Sequence, residues 1–317
     1  MTQPESIHAP PQTPDRTRPR RRLRQQWSKQ RVVIVLAAVL GVGVLVYPTA
    51  SAWFSDRVHA TEISGYIDSV ENISPSVKTG LLNEARQFNK QLPFGPLRDP
   101  FALNENGEQT VIGSGSDAYK KMLGVGPDGM MGRISIPSIR ADLPILHGTD
   151  EGALSRGIGH LFGSALPVGG DSTHSVLTGH SGFVSATLFD HLDQVTEGDV
   201  FSVTTLDETL HYKVDQILTV LPDDTRALRK VEGKDYITLI TCTPKGINSH
   251  RLLVRGERTD PPVIDSTQHV LPSTTTDPGF PWWALALLVA ATLPIVATRA
   301  PGRAPKAAAM PTKTDPD

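Results

Sequence analysis

Apolar residues along this chain follow three patterns. The first is continuous. Val32 to Tyr47 reads VVIVLAAVLGVGVLVY, and the charge-free stretch continues to Phe54. As a helix rising about 1.5 Å per residue, 32–54 reaches about 35 Å, enough to cross a bilayer. A cleaved signal sequence is the alternative, with the ASA of Ala50 to Ala52 as its cleavage-like motif. The apolar stretch is long for a signal sequence, and the polar region before it is long as well. A second continuous stretch, Phe280 to Thr298, has 19 uncharged residues with Trp282 and Trp283 at one edge, where interfacial anchors sit. Pro294 is tolerable near one end of a membrane helix. A buried helix of a soluble core is the alternative here.

The second pattern is helical. From Ser76 to Leu92, Val77, Leu81, Ala85, Phe88 and Leu92 recur at three- and four-residue steps, with Leu82 beside them. LPFGPLRDPFALNENGEQ, from Leu92 to Gln109, then breaks the stripe with prolines and glycines and reads as an ordered loop. The third pattern begins at Gly132. RISIP, LPILHG, HSVLTG, VFSVTT, LHYKVDQILTV, YITLITC and RLLVRGE are short β-rich runs separated by turn residues. Seven or eight such strands favour a barrel or sandwich over βαβ repeats. SATLFDHLDQV, Ser185 to Val195, reads as a helix of one to three turns between strands.

These patterns divide the chain into a basic tail over 1–31, a membrane helix over 32–54, a helical region over 55–92 and a loop and linker over 93–131. A β domain over 132–259, a tether over 260–279, a second membrane helix over 280–298 and a tail over 299–317 follow. Charge orients the scheme. The first tail carries eight basic and two acidic residues and the last four and two; against a chain total of −2, residues 32–298 are left with −10. Lys and Arg collect on cytoplasmic flanks, so both termini read as cytoplasmic and the middle as extracellular. An acidic outer domain is a poor partner for nucleic acid, and the basic tail reads as a topology signal and lipid contact.

Cys242 is the only cysteine. Outside the cell it has no internal disulfide partner, which leaves an intermolecular bridge, a buried inert thiol or a reactive one. Its place favours reactivity: ITLITC reads as a strand and TPKG ends it. The thiolate is the nucleophile, and with reference values of about 8.5 for Cys and 6.5 for His a non-interacting pair stays neutral by about 100:1. An imidazole and a cation beside the thiol are therefore required. Of ten histidines, His180 in LTGHSG stands where an apolar run meets a glycine-flanked turn; His160, His174 and His250 have weaker contexts. Arg251 opens the run after Cys242 and Arg255 faces the same side of it, so spacing leaves both open as the cation.

TLITC with an arginine nine residues after its cysteine, preceded by TGHSG, resembles a sortase from about Gly132 to Arg258. The resemblance implies an eight-stranded sortase-type β-barrel, mainly β, with N-terminal helices and display on a Gram-positive cell surface. His180, Cys242 and Arg251 would be catalytic, and Arg255 structural. The second apolar segment and DPF at Asp99 to Phe101 are similar to the class C, pilin-polymerising branch. There such a loop is a lid over the active site. Here Asp99 would pair with Arg251 and Phe101 would pack near Cys242.

By that resemblance, the Cys242 thiolate attacks the Thr–Gly carbonyl of an LPxTG-like sorting motif while Arg251 supports the oxyanion. His180 protonates the leaving amine, and a lysine amine of another pilin resolves the thioester into an isopeptide bond. The alternatives are a housekeeping sortase that uses a peptidoglycan amine, a surface binding module with a structural thiol, and a hydrolytic cysteine peptidase. No cofactor or metal cluster is expected. LPSTT at Leu271 to Thr275, ahead of an apolar span and a basic tail, imitates a sorting signal, but Thr275 replaces the motif's glycine, and no self-processing is expected.

Overall fold

In the computed structural model, the described residues are 29–92, 97–101, 117–125, 129–182, 186–261 and 278–297. The tails, most of the proline-rich loop and the LPSTT tether lie outside them. The chain divides into two compact units, one of residues 43–286 and one of residues up to 42 and from 287 on.

Helix α1 runs Lys29–Glu71 and α2 runs Pro75–Gln91. No residue of the apolar window of α1 is buried, whereas His59, Ile63, Tyr66 and Val70 further along it are. Their four-three-four spacing is one helix face, and that face enters the core of the 43–286 unit. Tyr66 fixes it: its hydroxyl donates to Met131 O at 3.1 Å and accepts from Leu206 N at 2.8 Å. Helix α2 buries Leu82, Ala85 and Asn89, with Leu81 and Phe88 flanking them. The buried face is rotated from the predicted stripe, leaving Val77 exposed. The reason is Asn89, whose amide donates to Leu166 O at 3.0 Å while its carbonyl accepts from Leu166 N at 2.7 Å. A polar residue so satisfied is as good a core anchor as an apolar one.

After a short α3 (Asp117–Lys121), eight strands close a barrel. They are β1 Met130–Ile136, β2 Ala141–His147, β3 Ile158–His160, β4 Thr173–Thr178, β5 Val200–Thr205, β6 Glu208–Val220, β7 Asp235–Thr243 and β8 His250–Thr259, with a four-residue helix α4 (Glu151–Leu154) before β3. The order around the barrel is β1-β2-β3-β4-β7-β8-β6-β5. The β2–β3 and β4–β7 pairs are parallel and the others antiparallel. The seven predicted runs are all strands. The eighth, β3, has three residues and no alternation to betray it.

The predicted helix at Ser185–Val195 is only a 3-10 turn at Leu192–Gln194 in its described part. The Asp190 carboxylate accepts from Gly182 N at 2.8 Å and Leu188 N at 3.2 Å, a local pattern that competes with helix. Near the C-terminus, α5 spans Trp282–Ala297. At about 1.5 Å per residue it reaches about 24 Å, short of a bilayer core of about 30 Å. One helix among the described residues, α1, is long and apolar enough to cross a membrane. Trp53 of α1 donates from Nε1 to Gly279 O at 2.9 Å and meets Trp283 at 6.0 Å between ring centroids.

Tyr66→Phe should leave two buried backbone groups without their partner, for a loss of about 2 kcal/mol. Denaturant unfolding of the detergent-solubilised chain, followed by fluorescence, would measure it; a loss below about 0.5 kcal/mol would mean that Tyr66 does not fix α1 to the barrel.

Candidate active site

Side chains on β7 alternate. Ile237 and Leu239 enter the main core, while Ile240 joins a smaller apolar cluster with Leu161, Val176, Leu228 and Leu253. Cys242 is two residues beyond Ile240 and so shares its face. Both faces of the strand are covered, which is why YITLITC reads as a nearly unbroken apolar and threonine run.

Neighbouring strands deliver the other groups. In the antiparallel β7–β8 pair, Cys242 lies opposite Arg251. In the parallel β4–β7 pair, Thr178 lies opposite Ile240, and the bonding continues past the end of β4. Gly179 N donates to Ile240 O at 3.0 Å, Thr241 Oγ1 donates to Gly179 O at 2.7 Å, and Ser181 Oγ donates to Cys242 O at 2.6 Å. The residues on either side of His180 are thus strapped to Ile240, Thr241 and the backbone carbonyl of Cys242. A Cβ at position 179 would come within 2.6 Å of Ile158 and 2.8 Å of Phe189, so the turn before His180 has no room for a side chain.

Position separates the two arginines that spacing left open. Arg255 lies opposite Thr238, four residues from the Cys242 row, or about 13 Å along the strand. Its guanidinium bonds the Asp215 carboxylate at 3.1 and 2.6 Å and lies 4.3 Å from the centroid of the Tyr236 ring. Arg251 is buried beside the thiol. Its Nε and Nη2 donate to the two oxygens of Asp99 at 2.9 and 2.7 Å, and Nη1 donates to Asn248 O and His250 O at 3.1 and 3.2 Å. Both side chains of the Asp99–Arg251 pair are under 10% exposed, at 7% and 8%.

Phe101 completes the cover. Its ring centroid is 5.6 Å from that of His180, and the Arg251 guanidinium carbon is 5.2 Å from it. Leu97, which the sequence reading passed over, packs with Phe101 onto the cluster that holds Ile240. The structure therefore brings Cys242, Arg251, His180, Asp99 and Phe101 to one end of the β4–β7–β8 face. The other histidines serve elsewhere. His160 meets Tyr119 Oη and Ala165 O, and His174 meets Arg229 O and Thr238 Oγ1. Burial pushes both imidazoles down to about 4, so they stay neutral in the core. His250 is bonded to Ser249. Among the described residues no cluster of His, Cys, Asp and Glu is set to hold a metal ion.

The electrostatics of this closed arrangement hold the thiol neutral. Burial pushes Cys242 above its ordinary range; Arg251 pulls it down, and the Asp99 carboxylate pushes it up. The guanidinium that should favour a thiolate is neutralised by its partner.

A sortase domain profile matches residues 134–259. A sortase A of Bacillus anthracis is 31% identical over 128 residues, 40% of this chain and 59% of that protein. The chain spans about 52–63% of the length of the curated relatives it matches. Among solved structures, sortase C-1 of Actinomyces oris is 48% identical with a TM-score of 0.52, covering 58% of this chain and 99% of that one. Sortase C of Streptococcus pneumoniae, described with pilin substrate specificity, is 39% identical with a TM-score of 0.56, covering 62% and 96%.

Asp99→Ala removes the charge that raises the thiol and releases the one that lowers it. Its alkylation profile should therefore move to lower pH, with a faster rate at neutral pH than that of the unsubstituted chain. Phe101→Ala should speed alkylation at every pH by uncovering the sulfur. Rates with a small thiol reagent between pH 6 and 10 test both; unchanged profiles would remove the lid from the account.

Proposed function

The chain belongs to the sortase family, in its class C branch, and from that premise we propose that it is a membrane-anchored cysteine transpeptidase that polymerises pilins. The observation that carries the reading is the meeting of the chain's only thiol with Arg251 across one strand pair and with the His180 turn across the other.

In the proposed reaction, the Asp99–Phe101 lid withdraws and an LPxTG-like sorting motif takes its place on the β4–β7–β8 face. The apolar cluster around Ile240, now covered by Leu97 and Phe101, receives the motif's apolar side chain. With Asp99 gone, Arg251 favours the thiolate and then offers its freed N–H groups to the Thr carbonyl as it becomes an oxyanion. Cys242 Sγ bonds that carbon and the Thr–Gly C–N bond breaks, the leaving amine taking its proton from His180. The thioester is then resolved by a pilin lysine amine, which gives up its proton as the isopeptide bond forms and the thiol is restored.

The anchoring is part of the proposal. Helix α1 crosses the membrane, and α5 with its flanks forms a second, shorter span; both basic tails are cytoplasmic and the barrel is outside. The contact of Trp53 with Gly279 and Trp283 suits the aromatic level of a bilayer interface, where indole rings partition.

Cys242→Ala should abolish formation of high-mass covalent pilin polymers while leaving the barrel folded, since the change removes one small side chain. Arg251→Ala should reduce thioester formation by about 100-fold or more, as loss of an oxyanion donor does. Arg255→Ala, at the remote pair with Asp215, should alter stability more than rate. Mass spectrometry of the acyl-enzyme, with circular dichroism as the folding control, reads all three. A Cys242→Ala protein that still joined pilins would end the proposal.

A further inference from the structure

A carboxylate stands at His180 that the scheme above does not use. Helix α4 begins at Glu151 and is capped by Asp150, whose Oδ1 accepts from Ala153 N at 3.1 Å. The cap fixes the direction in which position 151 leaves the backbone. Glu151 Oε2 lies 3.6 Å from His180 Nε2. That nitrogen is closed off from water, while the Glu151 side chain is 67% exposed and has freedom to move. A shift of about 0.5 Å brings the pair to hydrogen-bond distance.

The other groups facing the imidazole do different work. Phe101 lies against it, with 5.6 Å between ring centroids, and the Asp99 carboxylate of the same loop is held by Arg251. Among the described residues, Glu151 is the carboxylate within ion-pair distance of the ring. The two imidazole nitrogens are distinct, and an acceptor facing one keeps the proton there and leaves the lone pair on the other.

We propose that Glu151 is the positioning residue of His180. Its carboxylate keeps the proton on Nε2, which leaves Nδ1 to take the proton from Cys242 Sγ: the S–H bond breaks, an N–H bond forms, and the same proton later passes to the leaving amine. It also stabilises the imidazolium that exists between those two transfers. The Glu151 side chain is largely exposed, so the effect on thioester formation is modest, about two- to fivefold. The inference rests on the transpeptidase reading and deepens it.

The test uses the full-length chain in detergent with Asp99→Ala, so that the lid does not limit the rate. Thioester formation on an LPxTG peptide is followed in single turnover without an amine acceptor, and the His180 ring is followed by NMR of ¹⁵N-histidine-labelled protein. Glu151→Gln is expected to slow acylation about two- to fivefold and Glu151→Asp to retain most of the rate. At about 1 M salt, where the screening length is about 3 Å, the parent should slow toward the Glu151→Gln rate while Glu151→Gln changes little. The His180 nitrogens should move from the Nε2–H tautomer toward a mixture in Glu151→Gln. Unchanged acylation, a loss confined to the acceptor-dependent step, or an unaltered tautomer would each overturn the assignment. A parent that forms no thioester would count against the transpeptidase reading instead, and the tautomer would still report on Glu151.

Discussion

The site depends on the register in which β7 lies between β4 and β8. Parallel pairing with β4 sets Thr178 beside Ile240, and antiparallel pairing with β8 sets Cys242 opposite Arg251. Because side chains alternate, a slip of one residue would turn the thiol into the barrel and send a threonine to the lid side. The core guards against this. Ile237 and Leu239 are almost fully buried, and burying such side chains is worth about 1.5–3 kcal/mol each. A slip would replace them inside with Thr238 and Ile240. The barrel's packing energy is therefore also what positions the chemistry, and the Ser181 and Thr241 hydroxyls carry that positioning past the strand end to His180.

Much of this was legible in the sequence. Alternation found seven strands, and the motifs TGHSG and TLITC pointed to the turn and the strand end. The rest was hidden for identifiable reasons. β3 is held by its neighbours β2 and β4, not by a pattern of its own. The buried stripe of α1 begins at a histidine and is overshadowed by the apolar run before it. The buried face of α2 includes Asn89, which a hydrophobic template counts as polar. Arg251 and Arg255 share a face of β8, so spacing could not separate them. Asp215 on β6 and Tyr236 on β7, both remote in sequence, claim Arg255. Glu151 comes from a segment with no motif, and Leu97 stands two residues before DPF without being part of it; only the closed fold places them at the site.

The lid contacts differ in kind. Phe101 and Leu97 contribute apolar area, and water that leaves with them must return when they move. Asp99 contributes charge. Burying two ions takes them out of water, and their attraction largely offsets that cost without exceeding it by much. A bidentate pair is therefore strict in geometry yet weak in net stabilisation, which, on the proposed reading, suits a contact made and broken in each cycle. Removing one partner is another matter, because it leaves a buried charge alone.

On the proposed reading, that asymmetry couples binding to activation. Asp99 does not leave Arg251 buried and alone; water or the incoming carbonyl must take over its N–H groups. As the carboxylate departs, the charge that raised the thiol goes with it, and the field of Arg251 acts on the sulfur unopposed. The event that seats the substrate is then the event that makes the nucleophile. A thiol built this way stays protonated, and so resists alkylation and oxidation at an exposed cell surface, until the peptide it will cleave is already in place.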